Sequence, residues 1–435
     1  MKIAMIGTGY VGLVSGTCLA EVGHQVTCVD LDENKISLLQ DGVSPIYEPG
    51  IETYIRKNLE PQRLSFTTNL SKAMQDAEAV FIAVGTPEGE DGSADLRYVE
   101  AVAKSIGTSM TKDLLVVVKS TVPVGTCSIV EKIITSQNKL KRSPVIFEVI
   151  SNPEFLKEGS AITDFMHPDR IVIGVKSNWG EEKARSIYKN FSDKIIVMNR
   201  KSSELTKYAS NSMLAARISF MNELSELCEN VGANIDDIRI GMGKDPRIGP
   251  KFLLAGPGYG GSCLPKDVIA LMRTAEEKGV ELSILKSVMN ANSKQKKRLA
   301  KKVMSHFSSL KNTKIGIWGL AFKPGTDDVR ESPAITLIQE ITSAGGQVRV
   351  HDPEATTAFK KVIEEDKNIT YCQNIYETLE GCNGLVLMTE WSDYLNPNWK
   401  KVESLLAEKV VFDFRNQYSS SELQDLGLQH VTVGS

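Results

Sequence analysis

The N-terminal stretch "MKIAMIGTGYVGLVSGTCLAEVGHQVTCVDLD" constrains the fold more than any other part of this 435-residue chain. Ile3 to Ile6 read as a short buried strand, and Gly7, Gly9 and Gly12 follow it in G-x-G-x-x-G spacing. Val11 to Glu21 suit a helix, Gly23 ends it, and Gln25 to Val29 read as a second strand closed by Asp30. Strand, glycine turn, helix, strand and acid in that order form the context a dinucleotide fingerprint requires. The first two glycines permit a tight turn and close backbone approach to a pyrophosphate, and the third lets helix and strand pack together. The helix N-terminus turns its positive dipole end towards the phosphates. Asp30 is placed to bond the adenosine ribose hydroxyls and to repel a 2′-phosphate, which predicts NAD rather than NADP as cofactor.

Further strands are predicted at Ala79 to Val84, Leu115 to Lys119 and Phe147 to Ile150. They run into Gly85-Thr86-Pro87, Ser120-Thr121 and Ser151-Asn152-Pro153-Glu154. Ligands of an open parallel sheet bind at the carboxyl ends of its strands. Thr86, Thr121 and Glu154 are therefore candidates for one cleft, against the plainer reading that such Thr and Asn residues cap the following helices.

Totals exclude several function classes. The length allows about three domains, and a net charge of -3 offers no basic field for nucleic acid. The seven cysteines form no C-x-x-C pair and no histidine cluster accompanies them, so neither a disulfide framework nor a bound metal is expected. No signal peptide is read at the N-terminus. No stretch reaches the roughly 18 apolar residues of a membrane span. The expectation is a cytosolic protein.

From Lys201 to Val231 the composition favours one long helix, stopped by Gly232. Lys207 and Asn211 lie four apart on it and share a face. No strands lie nearby, so the helix reads as a spine between two α/β domains and as a dimer surface. A second α/β unit begins near Lys314, with a helix over Ala334 to Ala344 and strands at Gly384 to Met388 and Val410 to Phe412. "GHQVTCVD" at 23 to 30 and "GGQVRVHD" at 345 to 352 share Gly, Gln, Val and the closing Asp, a faint internal repeat. The second copy has only Gly316 and Gly319 of a glycine fingerprint, so it is less suited to a dinucleotide.

One loop stands out chemically. "GYGGSCLPKD" sets Cys263 between a glycine run and a Leu-Pro-Lys-Asp segment that opens an apolar helix. Pro suits the first turn of such a helix. A thiol there is either a small packed hydrophobe or a nucleophile by arrangement.

Seven ordered stretches resemble the UDP-glucose/GDP-mannose dehydrogenase family over almost the whole chain. They are "IGTGYVGLVSG", "GVSPIYEPG", "VGTP", "KSTVPVGT", "SNPEFLKEGSA", "RIGPKFLLAGPGYGGSCLPKD" and "GLAFKPGTDDVRESP". The resemblance implies an α/β fold of two Rossmann-like parallel-sheet domains joined by a long central helix and a small helical dimerisation domain. The expected division is 1–200 for NAD, 201–300 for dimerisation and 301–435 for the UDP-sugar. It also implies a four-electron oxidation of C6 of UDP-glucose to the carboxylate, using two NAD in turn. Cys263 would carry the sugar first as a thiohemiacetal and then as a thioester. Placement before a helix N-terminus, with Lys207 or Lys266 nearby, would favour the thiolate.

By the same resemblance, Lys207 and Asn211 would stabilise the oxyanion, while Thr121, Glu154 and Asp267 would position and activate water. The implied cofactor contacts are Gly7, Gly9, Tyr10, Val11, Gly12, Asp30, Lys35, Thr86, Thr121, Glu158, Lys266 and Arg330. The implied substrate contacts are Glu154, Phe155, Leu156, Lys157 and Glu158; Lys207 and Asn211; Phe252, Leu253, Leu254, Ala255, Gly256 and Gly260; Lys323 and Arg415. Arg247 resembles an arginine offered to UDP-sugar from a neighbouring subunit of a homodimer. One departure is the segment Asp413-Phe414-Arg415-Asn416, where the family has Asp-Gly-Arg-Asn. If that glycine has positive φ or a close ligand, Phe414 does not fit without adjustment. GDP-mannose 6-dehydrogenase activity and a non-catalytic nucleotide-sugar sensor remain as alternatives.

Overall fold

The computed structural model describes residues 1–89, 92–141, 143 and 145–435. It divides into two compact units, Met1–Ser210 with Arg273–Lys278, and Asn211–Met272 with Gly279–Ser435.

The first unit is built on eight strands: β1 (Lys2–Ile6), β2 (Gln25–Val29), β3 (Leu64–Thr67), β4 (Ala79–Ile82), β5 (Leu114–Val118), β6 (Phe147–Ser151), β7 (Ile171–Val175) and β8 (Ile195–Asn199). Their order is β3-β2-β1-β4-β5-β6-β7-β8. All neighbours pair parallel except β6 and β7, which meet antiparallel at Ser151 and Gly174. Helices cover both faces of such a sheet, so its central strands read as continuous apolar runs rather than alternating ones. Accordingly, Leu114 to Val118 are buried without exception. Within β1, Ile3 and Met5 enter one core while Ala4 and Ile6 enter the other. Helix α1 (Tyr10–Glu21) starts directly after Gly9, and the short α2 (Ala161–Met166) follows β6. The strands expected from sequence are present with ends shifted by one or two residues. The buried β7, the half-exposed β8 and the four-residue β3 were not anticipated.

Helix α3 (Arg200–Val231) is the predicted spine, and the division between units falls within it. Gly232 takes φ +74 and ends it, with the Ala233 N–H donating back to the Cys228 carbonyl at 3.0 Å. That left-handed stop is the one glycine supplies most readily.

The second unit contains α4 (Leu264–Glu276, most of it), α5 (Ser283–His306) and α6 (Pro333–Ser343). Its sheet comprises β9 (Lys314–Trp318), β10 (Gln347–His351), β11 (Ile369–Tyr371), β12 (Cys382–Leu387), β13 (Leu406–Asp413) and β14 (Gln429–Val431). The order is β11-β10-β9-β12-β13-β14, parallel throughout. No helix of the described residues is long and apolar enough to cross a membrane.

Candidate active site

The glycine fingerprint is shaped by steric necessity. Gly7 has φ +101, and a Cβ there would lie 2.6 Å from the Ala83 carbonyl oxygen. A Cβ on Gly12 would lie 2.0 Å from the Gly7 oxygen, so α1 packs on the turn as closely as the third glycine permits. A Cβ on Gly9 would meet nothing within 4 Å, leaving open space in front of the α1 N-terminus. Asp30 lies at the end of β2, where its Oδ2 accepts from the Thr8 N–H at 2.9 Å and the Thr8 hydroxyl at 2.7 Å. Among the described residues, its Oδ1 accepts the Asp32 N–H alone, at 3.2 Å. Partial burial raises the Asp30 carboxyl, but these bonds and the Lys35 charge outweigh it and hold the group below the usual carboxylate range. An open helix N-terminus, a glycine cradle and a half-exposed carboxylate fit an NAD. Thr86 and Thr121 also come together, the Thr86 hydroxyl donating to the Thr121 carbonyl at 2.9 Å across the ends of the strands.

Glu154 and Lys207 are both buried, and form an ion pair of 2.9 Å. The solvated stripe that a lone helical lysine usually occupies is thus excluded. The Glu154 Oε2 also accepts the Leu156 N–H at 2.6 Å, which fixes the start of the loop through Glu158. Burial pushes the Glu154 carboxyl up, yet Lys207, the Leu156 N–H and Lys119 together draw it below the ordinary value. Phe155 lies under two cations, Arg170 at 3.9 Å and Lys207 at 5.4 Å from the ring centre. Lys157 turns away, pairing with Asp164 at 3.2 Å.

Cys263 immediately precedes α4, and the Asp267 N–H donates to its carbonyl at 2.9 Å. It is exposed, whereas the other six cysteines are buried. Its sulfur lies 3.5 Å from the Ser262 hydroxyl. One turn into α4, buried Asp267 joins two of the expected residues. Its Oδ2 accepts from the Asn211 amide at 2.6 Å, and its Oδ1 lies 3.0 Å from the Lys266 ammonium. The two lysines expected to favour a thiolate are therefore each paired with a carboxylate.

The remaining candidates in the second unit are less uniform. Phe252 has φ +60, a strained value for an aromatic residue, while Leu253 and Ala255 are buried and Leu254 is exposed. The Gly256 N–H donates to Asn222 Oδ1 at 2.9 Å. A Cβ on Gly260 would lie 2.4 Å from the Glu331 carbonyl oxygen. Arg330 pairs with Asp328 at 2.8 Å, and Lys323 lies 5.6 Å from the Phe322 ring. Arg247, largely exposed, pairs with Asp245 at 2.6 Å.

Phe414 is accommodated without a left-handed backbone, so the first condition attached to the missing glycine does not apply. Its φ is not positive, and its buried ring packs 6.1 Å from Phe412. The left-handed residue of this segment is Asn416, at φ +52. Arg415 is held internally, donating to the carbonyls of Met388 at 2.7 Å and Phe322 at 2.9 Å and pairing with Glu390 at 3.0 Å.

Of the buried charged residues that the sequence does not mark as candidates, two bond to the segments described above. Lys119 donates to Asn152 Oδ1 at 3.1 Å, and that oxygen also accepts from the Tyr188 hydroxyl at 2.5 Å. Burial, opposed by Glu154 and reinforced by Lys207, lowers its ammonium to about 8. Its signal was a lysine closing the otherwise apolar run Leu114 to Val118. The other is Glu48, which bonds α1 and the loop before α2; nothing local in sequence marks it.

The family's NAD binding domain matches residues 1–192, its central domain 201–294 and its UDP binding domain 316–420. The chain is 44% identical to a UDP-glucose 6-dehydrogenase of Pseudomonas aeruginosa, over 100% of this chain and 97% of that protein. It is 42% identical to the UDP-glucose 6-dehydrogenase TuaD of Bacillus subtilis, over 100% of this chain and 93% of that one. Among solved structures, a UDP-glucose dehydrogenase from the archaeon Pyrobaculum islandicum superposes with a TM-score of 0.90 at 37% identity, covering 99% of this chain and 96% of the other. With all three domains matched in order along its length, the chain belongs to the UDP-glucose/GDP-mannose dehydrogenase family.

Proposed function

We propose that this chain oxidises C6 of UDP-glucose to the carboxylate of UDP-glucuronate, using two NAD. The observation that carries the reading is Cys263, the exposed member of seven cysteines, set at the opening of α4 in a glycine-rich loop. NAD, when bound, takes up one hydride in each of the two oxidations. An aldehyde has no second hydride to release until a nucleophile adds. The Cys263 sulfur forms a C–S bond to C6, giving a thiohemiacetal whose oxidation leaves a thioester. Water then adds to the thioester carbon, the C–S bond breaks, and the thiol is regenerated.

Lys207 and Asn211 are assigned to the oxyanion that develops on C6. Glu154 is assigned to the hydrolytic water: its depressed pKa keeps it an acceptor at neutral pH. Asp267 orients Asn211 through the 2.6 Å bond. The division of labour is 1–200 for NAD, 201–300 for association and 301–435 for the UDP-sugar. The homodimer is supported by Met213, Phe220 and Leu227, spaced by seven on α3 and each more than half exposed; Arg247 would then serve the neighbouring subunit.

Stoichiometry tests the reaction. Two NADH should form per UDP-glucose consumed, with no free aldehyde; a ratio of one would replace it with a simple two-electron dehydrogenase. GDP-mannose in the same assay should turn over far more slowly.

A further inference from the structure

We propose that Glu48 is a positioning residue that couples the cofactor loop to the segment carrying Glu154 and Glu158. The inference rests on NAD binding at the Gly7–Gly12 turn. Glu48 is buried, and both of its oxygens are used. Its Oε1 accepts the N–H groups of Ala161 at 2.8 Å and Ile162 at 3.4 Å. Its Oε2 accepts the Gly159 N–H at 2.7 Å and the hydroxyl of Tyr10. The Gly159 N–H also reaches the Tyr10 oxygen, at 3.0 Å.

The placement gives this cluster its meaning. Tyr10 opens α1 and directly follows Gly9, so its backbone belongs to the turn that faces the phosphates. Gly159, at φ +81, is where the chain leaves the Glu154–Glu158 loop and turns into α2. The loop is thus fixed at its start by Glu154 through Leu156 and at its end by Glu48. Burial, with Glu48 beside it, drives the Tyr10 hydroxyl far above its ordinary pKa, so it remains a neutral donor. Restraining the Gly9–Tyr10 backbone restrains the phenol, which restrains Glu48 and the N–H groups that Glu48 holds. A single hydrogen bond contributes about 1 kcal/mol net, which corresponds to about a fivefold change in an opening equilibrium.

Hydrogen exchange on the full-length protein, with and without NAD alone, tests this. In the wild type, NAD should slow exchange in residues 7–13 and also in residues 154–162. Tyr10→Phe deletes the link but leaves the other bonds to Glu48. The ratio of NAD protection at 154–162 to that at 7–13 should fall about fivefold. Glu48→Gln should lose the transmitted protection as well, because its amide sets N–H against N–H at Gly159. Equal protection of 154–162 in wild type and Tyr10→Phe would overturn the proposal. So would wild-type protection confined to 7–13, the result expected if Glu48 merely caps α2. No protection at 7–13 in the wild type would instead remove the cofactor assignment, and the proposal with it.

Discussion

The two sheets of this molecule share a register to the level of single hydrogen bonds, yet only the first presents a dinucleotide cradle. Gly7 donates to the Val29 carbonyl as Gly319 donates to that of His351. Ala83 and Met388 donate to Ile6 and Trp318 in the same way, and Lys119 and Phe414 to Ile82 and Leu387. Both turn glycines have φ near +100°, at +101 and +98. Asp30 accepts the Thr8 N–H, and Asp352 accepts the Leu320 N–H. What differs is the surroundings of the carboxylate. Asp352 is buried and accepts four backbone N–H groups, of Leu320, Ala321, Glu354 and Ala355, together with the Trp391 indole N–H. That fills the lone pairs a carboxylate has. In the first sheet α1 begins at once, whereas α6 begins at Pro333, more than a dozen residues beyond Gly319. A nucleotide site of this kind therefore needs a partly exposed acid with acceptor capacity to spare and an adjacent helix N-terminus, not the strand layout alone.

If cofactor binding resides in the first unit and covalent chemistry in the Cys263 loop, the two must separate on mutation. Cys263→Ser should retain the fold and NAD affinity while turnover falls by roughly a thousandfold or more, as nucleophile deletions do. A hydroxyl is a weak nucleophile at its free pKa. Intact-protein mass spectrometry after incubation with UDP-glucose and NAD would reveal any stalled ester. Turnover at the wild-type rate would return Cys263 to a small residue beneath a glycine loop. Loss of NAD affinity in the same variant would break the separation of roles.

The paired acids give the next contrast. Asp352→Asn leaves an amide among five N–H donors, and buried donors without acceptors cost about 1–3 kcal/mol each. Its second unit should melt several degrees lower. Asp30→Asn, half exposed, should change stability little but narrow the preference for NAD over NADP. Thermal melts and initial rates with both cofactors measure the two effects. Equal destabilisation would show that the acids do the same structural task.

Much of this contrast was legible in sequence. The repeat "GHQVTCVD" and "GGQVRVHD" places Asp30 and Asp352 at equivalent strand ends, as the register bears out. The incomplete second fingerprint already argued against a dinucleotide there. What escaped is non-local. Glu48 meets Tyr10 across 38 residues and Gly159 across 111, so no spacing rule marks it. Strands β3, β11 and β14 have only three or four residues, too short for a period of two to declare itself. The backbone at Phe414 was likewise not legible, because the sequence does not say whether that position needs a positive φ; it does not.

The finest contrast sets Lys119 against Phe414, which occupy the same place in the two registers. One is a buried ammonium and the other a buried ring, so only the first links stability to alkaline pH. Burial lowers the Lys119 pKa to about 8 in the folded chain, against about 10.4 when unfolded. Below about 8 both states bind the proton, and the fold bears the whole unfavourable effect of enclosing the charge. Between about 8 and 10.4 the unfolded chain binds more protons, so this group makes stability rise with pH. Above that range its contribution is level. Lys119→Met keeps the volume approximately and removes the titration. Denaturant midpoints of the first unit, compared near pH 8 and near pH 10, should rise less, or fall more, in Lys119→Met than in the wild type. Other lysines and tyrosines titrate in both proteins and cancel in the difference. Phe414→Leu should lower the second unit's midpoint equally at both pH values, through lost packing alone. A Lys119→Met profile parallel to the wild type would mean that Glu154 holds the ammonium fully charged, and the strand ends would differ only in shape.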